Sequence, residues 1–330
     1  MRDGSPRSVD SWLSSAEDND MRWREWGAFW LLGTIWGSSF LWIKIAVAET
    51  DPVLLAALRL LFGLIGLVAI AGMTRQSVPR DARLFVRFLV LGGLNTALPF
   101  ALIPWGETRI ASGLAAILNG TTPLFTLVVA HFWLRDEKIT RQRLTGLVLG
   151  FAGVIVLMSG DVTRATVQGS TWGQIAVLAA ACSYAVAATY ARGHLRGQPP
   201  VLQATAAVFM ADGLLWLAAP VAQWPLRLPR LPITWLALAW LGLLGSCLAY
   251  LLYYYLINAW GATRATVVTY VFPVIGLILG VAFLGEPLSA RLVTGTLLVV
   301  AGIAIVNRAP AGRALPVPAV APQDIGDAGS

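Results

Sequence analysis

The sequence predicts an all-α polytopic membrane protein: ten transmembrane helices in two inverted five-helix repeats. Three observations lead there. The first is composition. Of 330 residues, 57% are hydrophobic and only 12% are charged, and the mean hydropathy is +0.70; a soluble domain carries about 25% charged residues. The second is segmentation. Apolar runs near the roughly 20 residues that cross a ~30 Å hydrocarbon core as a helix cover 26–46, 52–72, 84–103, 111–134, 144–160, 172–190, 201–219, 234–256, 265–284 and 289–306. The third is a doubling. The stretch Thr108 to Leu157 is written again from Asn258 to Ile305: Pro123 pairs with Pro273, Glu137 with Glu286, Thr145-Gly146 with Thr294-Gly295, and Ala152-Gly153 with Ala301-Gly302. Repeats built of apolar spans are a signature of secondary transporters.

In order along the chain, residues 1–25 are polar and mixed in charge. They read as a cytoplasmic N-terminal segment, not a secretory signal peptide, which leaves the first span as an uncleaved start. Span 1 carries Trp36, Gly37, Ser38 and Ser39 in its middle and Lys44 near its outer end, where a snorkelling cation is expected. Thr50-Asp51-Pro52 supplies the turn into span 2, whose eighth residue is Arg59. Span 3 holds Asn95 and Thr96 at mid-depth, followed by Pro99; span 4 holds Asn119, Pro123 and, beside the next turn, His131. Glu137 lies in that turn, and Gly146 and Gly150 of span 5 allow close helix approach.

The second repeat opens with Trp172-Gly173, matching Trp26-Gly27, and Ser183-Tyr184 hold the span 6 place of Gly37-Ser38. Gln198-Pro199-Pro200 leads into span 7, with Asp212 near its middle. Span 8 aligns Ser246, Tyr250 and Tyr253 on one side; its Gly242 and Ser246 match Gly92 and Thr96. Span 9 carries Tyr270, near-equivalent to Asn119, then Pro273, Gly276 and Gly280, and Gly285-Glu286-Pro287 turns into span 10. Residues 308–330, rich in Pro, Ala and Gly, read as a disordered cytoplasmic tail.

The repeats are bounded at 26–160 and 172–307. Each holds five spans, and five is odd, so the second enters the membrane from the opposite side and the two are related by a pseudo-twofold axis in its plane. With the N-terminus inside, 17 Lys and Arg residues fall in inner segments and 5 in outer ones, which puts both termini in the cytoplasm. The net charge of +7 is spread over short loops and forms no nucleic-acid patch. Cys182 and Cys247 sit inside apolar spans and read as packing residues. Two histidines, with no CxxC, HExxH or GxSxG, leave no metal, cofactor or catalytic signature. A membrane-embedded enzyme and a non-transporting receptor are therefore weak alternatives to transport. The expected partners are a small-molecule substrate and the lipid bilayer, with a homodimer left open.

Several residues carry a specific expectation. Arg59 lies about 10–12 Å below the outer end of span 2 at 1.5 Å per residue. A cation there must face protein or water, so it is either a cavity cation for a carboxylate substrate or a structural tie between helices. Asp212 is either a proton-coupling group or a neutral acid bonded to a neighbouring helix. Glu137 and Glu286, symmetric in the repeats, are expected to cap helix N-termini or bond turn amides. Pro123 and Pro273 are expected to kink spans 4 and 9 at paired positions. Trp36, Ser38, Asn95, Asn119, Tyr184, Tyr250, Tyr253 and Tyr270 are candidate substrate contacts, because Tyr and Trp offer apolar area plus one hydrogen bond. Trp23, Trp26, Trp105, Trp224 and Trp235, near span ends, fit an interfacial belt.

The Trp36-Gly37-Ser38-Ser39-Phe40 run with Lys44, the Pro52 to Arg59 segment, and the Pro123 to Gly153 and Gly261 to Gly302 blocks together resemble the EamA family of the drug/metabolite transporter superfamily. The resemblance covers about 26–307. It implies a two-domain bundle in the bacterial inner membrane with a central cavity and alternating access. It also implies export of small metabolites such as amino acids or related compounds, with a proton-coupled importer as the alternative. Two departures stand out: Ala207 occupies the place where Arg59 would repeat, and Pro287 follows Glu286 where Lys138 follows Glu137.

Overall fold

The computed structural model describes residues 9–73, 81–134, 139–159, 170–195, 198–260 and 266–308. Glu137 and the tail beyond Arg308 lie outside the described residues. Within them are ten helices long and apolar enough to cross a membrane: span 1 Trp23–Ala46, span 2 Pro52–Ile70, span 3 Ala82–Glu107, span 4 Ser112–Trp133, span 5 Arg141–Met158, span 6 Thr171–His194, span 7 Val201–Ala222, span 8 Pro232–Tyr253, span 9 Val267–Leu284 and span 10 Ala290–Asn307. Boundaries move most where polar residues misled the sequence reading. Span 3 runs past Pro104 to Glu107 because Glu107 is buried, not solvated. The first helix begins at Val9, so the polar lead continues it.

The packing repeats when span n is exchanged for span n+5. Span 1 packs on 8 and 9 as span 6 packs on 3 and 4, and span 2 packs on 8 as span 7 packs on 3. Spans 2 and 7, 4 and 9, and 5 and 10 each pack on their own counterpart. The two halves are thus inverted repeats around a pseudo-twofold axis.

Glycine makes the closest approaches. A Cβ on Gly242 would stand 2.5 Å from the Arg59 carbonyl oxygen, and one on Gly92 would stand 2.5 Å from the Ala207 carbonyl oxygen. The same contact is made twice, which places Arg59 and Ala207 at equivalent positions in the halves. Spans 5 and 10 meet through Gly146 and Gly302, whose added Cβ atoms would each lie 2.6 Å from the other's carbonyl oxygen. Cys247 is buried against Gly66, and both cysteines are free thiols.

Both halves depart from regular α-helix at matching depths. Span 3 turns π-helical over Gly93–Ala97 and span 8 over Trp240–Leu248. A π-turn widens the helix and leaves a carbonyl without its usual i+4 partner. Each freed carbonyl is taken by a side chain from the paired span: Trp36 Nε1 donates to Gly245 O at 3.0 Å, and Ser183 Oγ donates to Leu94 O at 2.6 Å. Span 4 breaks between Ser112–Asn119 and Thr122–Trp133, immediately before Pro123. Span 9 changes from 3-10 (Thr266–Tyr270) to α (Val271–Leu284) immediately before Pro273. The prolines cannot donate a backbone hydrogen bond, so the breaks fall where none is lost.

Candidate functional site

Between the halves lies a cavity of about 520 Å³. Spans 1, 2, 3, 6 and 8 build its deep end, where the π-turns and the small residues of spans 1 and 6 turn side chains inward. Trp36, Arg59, Asn95, Asn119, Pro123, Tyr184, Tyr250 and Tyr253 all line it, drawn from six spans. It continues past Ala191, Gln203, Arg143 and Asn307. Those four lie at the ends of spans 6, 7, 5 and 10 on the same membrane face as the termini, so the cavity reaches toward that face.

Arg59 sits at the deep end, only 5% exposed. Its Nε donates to Ser246 Oγ at 3.2 Å, and that hydroxyl in turn donates to Leu241 O at 3.1 Å, five residues back along the π-turn. The guanidinium carbon stands 3.9 Å from the Phe100 ring centroid, a cation–π contact that holds the guanidinium plane. Opposite, Trp36 packs its indole 5.4 Å from the Tyr253 ring, 5.6 Å from Phe272 and 6.3 Å from Tyr250. Tyr250 lies beside Asn95 and Thr96. The buried Asn119 Oδ1 at the break in span 4 has no hydrogen-bond partner among the described residues. The deep end is therefore one fixed cation, an aromatic wall and a few amide and hydroxyl groups.

Two of the sequence candidates lie elsewhere. Ser38 is buried against span 8, donating to Ile35 O at 2.8 Å and accepting from Trp240 Nε1 at 3.2 Å; Ser39, one residue on, takes the cavity wall. Tyr270 turns to span 10 and donates to Ile303 O at 3.0 Å. Asp212 is buried in span 7 and is not among the lining residues. Trp216, one turn on, donates to its carboxyl group, and Oδ1 has no partner. Lys44 does not snorkel. Its Nζ donates to Glu107 O at 2.5 Å and Ile110 O at 2.7 Å, closing the end of span 3. His131 Nδ1 accepts the Ile139 amide at 3.2 Å across the turn after span 4.

On the face opposite the termini, acids cap helices of the other half. Glu286 accepts the Ser112 amide at 2.6 Å and the Gly113 amide at 2.9 Å, the first N–H groups of span 4. Gly280 has no side chain, which makes room for that carboxylate. Glu49 does the same for span 8: it accepts the Arg230 amide at 2.6 Å, the Leu231 amide at 3.1 Å and the Thr234 hydroxyl at 2.7 Å. The Thr234 hydroxyl and then the Arg230 amide hold the Glu49 carboxyl below its ordinary pKa. Glu49 escaped the sequence reading because it pairs with a segment some 180 residues away. So did Glu107, which is fully buried with both carboxyl oxygens unpartnered among the described residues.

The sequence profile of the EamA-like transporter family matches residues 25–159 and 171–308. An Escherichia coli K12 protein named "Uncharacterized inner membrane transporter YedA" is 32% identical over 276 residues, 82% of this chain and 87% of its own. A Salmonella typhimurium LT2 protein named "Probable amino-acid metabolite efflux pump" is 27% identical, covering 83% of this chain and 92% of its own. A solved crystal structure shares the fold with a TM-score of 0.61 at 20% identity, covering 86% of this chain and 97% of that one. Matched by the family profile along both halves, the chain belongs to the EamA-like transporter family and is a membrane transporter, not an enzyme.

Proposed function

We propose that the protein is a secondary transporter of the bacterial inner membrane that exports a small amphipathic metabolite, an amino acid or related compound, by alternating access. The cavity between two inverted halves carries this reading. It reaches toward one membrane face, and in this reading the cross-half helix caps of Glu286 and Glu49 seal the other. Because the halves are near-symmetric, the mirror arrangement is available at small structural cost, which is the physical basis of rocking around a fixed site. The 17 to 5 cationic bias supports a cytoplasmic open face, and with it an inward-facing cavity that loads from the cell interior. The relatives' names support inner-membrane location, and one of them supports efflux of amino-acid metabolites.

The test is counterflow in proteoliposomes against a metabolite panel. Saturable, protein-dependent exchange of at least one compound is expected, and the R59Q and Y250F variants should slow it. Exchange indistinguishable from empty vesicles across the panel defeats the proposal. Proton-coupled uptake through Asp212 is less favoured, because that carboxyl stands off the cavity wall and is held by Trp216.

A further inference from the structure

The cavity has a sign. Its described lining contains Arg59 at the deep end and Arg143 toward the face shared with the termini, and no Asp or Glu. The fully buried Glu107 carboxyl is not among the lining residues; it lies within electrostatic range of Arg59 and of Lys44, whose ammonium donates to the Glu107 backbone carbonyl. The inverted symmetry makes the deep cation a one-sided feature. Gly92 and Gly242 make identical close approaches, yet one meets Ala207 and the other Arg59. The symmetric scaffold therefore does not require an Arg there, since the other half packs the same contact without one.

We infer, building on the transport reading above and narrowing its substrate class from amino acids to their related compounds, that Arg59 is the specificity-determining residue and that the substrate is a net-anionic aromatic carboxylate, not a zwitterionic amino acid. With Nε committed to Ser246 and the face committed to Phe100, the two terminal nitrogens present the edge of the fork. That edge matches a carboxylate in bidentate geometry. The Trp36, Tyr253 and Phe272 rings then meet the apolar body. A zwitterion sharing that carboxylate places its ammonium within a few ångströms of a guanidinium that is only 5% exposed, with no described lining acid to answer it. Neutral analogues lose the charged contact altogether. Selection falls on the net charge of the headgroup, and the ring is accepted by shape.

The experiment uses three near-isosteric probes on the full chain in nanodiscs, by isothermal titration calorimetry: 3-phenylpropionate (anion), phenylalanine (zwitterion) and 3-phenylpropanamide (neutral). The anion should bind at least about 10-fold tighter than either isostere, because the amide loses the charge-assisted contact and the zwitterion sets its ammonium against the guanidinium. R59Q should erase that preference, and R59K, which keeps the charge but not the fork, should keep its direction with weaker binding. Equal or tighter binding of phenylalanine overturns the inference. So does an anion preference that survives in R59Q, or the failure of all three probes to bind the wild-type protein. If R59Q does not stay monodisperse, the wild-type probe series with R59K decides. Binding of the anion with no proteoliposome counterflow would count against transport and leave the charge preference standing.

Discussion

The Glu286 carboxylate accepts the Ser112 amide at 2.6 Å, joining two residues 174 positions apart in opposite halves of the chain. The symmetry-related acid, Glu137, lies outside the described residues, so Glu286 is the one repeat glutamate whose contacts are described. It engages the N-terminus of span 4 on the closed face, where unpaired N–H groups and the helix dipole favour an anion.

In the alternating-access reading, opening this face would break that contact. E286Q keeps the shape but loses the charge, and charge-assisted bonds are about twice as strong as neutral ones. The variant should weaken the closed face by about 1–2 kcal/mol, a shift of about 5- to 30-fold in the open population. A single cysteine at Ser39 on the cavity wall, in a background lacking Cys182 and Cys247, should react correspondingly faster with a membrane-impermeant thiol reagent added outside cells. Unchanged labelling means that Glu286 does not hold this face.

Gly242→Ala forces a methyl group against the Arg59 carbonyl and the Phe62 side chain, which an added Cβ would meet at 2.5 and 2.4 Å. Overpacking of this kind costs about 1–3 kcal/mol, and here it also displaces the span that carries Arg59. The variant should melt lower by fluorescence-detected size exclusion and lose cavity binding. Gly193→Ala is the control, because nothing lies within 4 Å of its added Cβ. It should melt at or above the wild-type temperature, since Gly inside a helix costs about 0.5–1 kcal/mol relative to Ala. Equal behaviour of the two variants contradicts the close-packing argument.

Asp212→Asn retains the bond from Trp216 and cannot titrate. With the carboxyl off the cavity wall, pH-driven flux should stay within about twofold of wild type, because shape and hydrogen bonding are kept. Asp212→Leu should destabilise instead, by leaving the Trp216 indole unpartnered. Normal folding with abolished proton-driven accumulation in the Asn variant would restore the coupling role.

Glu49 gives the closed face a pH dependence of known sign. Its carboxyl is held below the ordinary value of 4.5 by Thr234 and then Arg230. A depressed acid contributes stability that is complete above the unfolded pKa and is lost as pH falls through the folded one. The wild-type melting temperature should therefore fall faster than that of E49Q below about pH 4.5, and E49Q should be the less stable of the two near neutrality. Parallel melting curves from pH 3 to 7 would remove Glu49 from the seal.

Much of this architecture was legible in the sequence because its causes are local. Span number follows from the length of apolar runs against a fixed bilayer thickness, and inversion follows from an odd span count per repeat. The prolines mark their own helix breaks. The repeat register also predicted that Ala207 takes the place of Arg59, which the matched Gly92 and Gly242 contacts reproduce. Rotational detail was not legible. Ser38 and Ser39 differ by about 100° around one helix, and the π-turns that set the phase of spans 3 and 8 leave no periodic signal. Which of the two serines meets the cavity, and that Tyr270 turns to span 10, were decided by packing. Lys44, Glu49 and Glu107 were misread or passed over because each answers to backbone groups or charges from 60 to 180 residues away. Composition and periodicity determined how many helices cross and in what order; only tertiary structure decided which acids cap which helices, since a capping partner is chosen by where another helix begins in space.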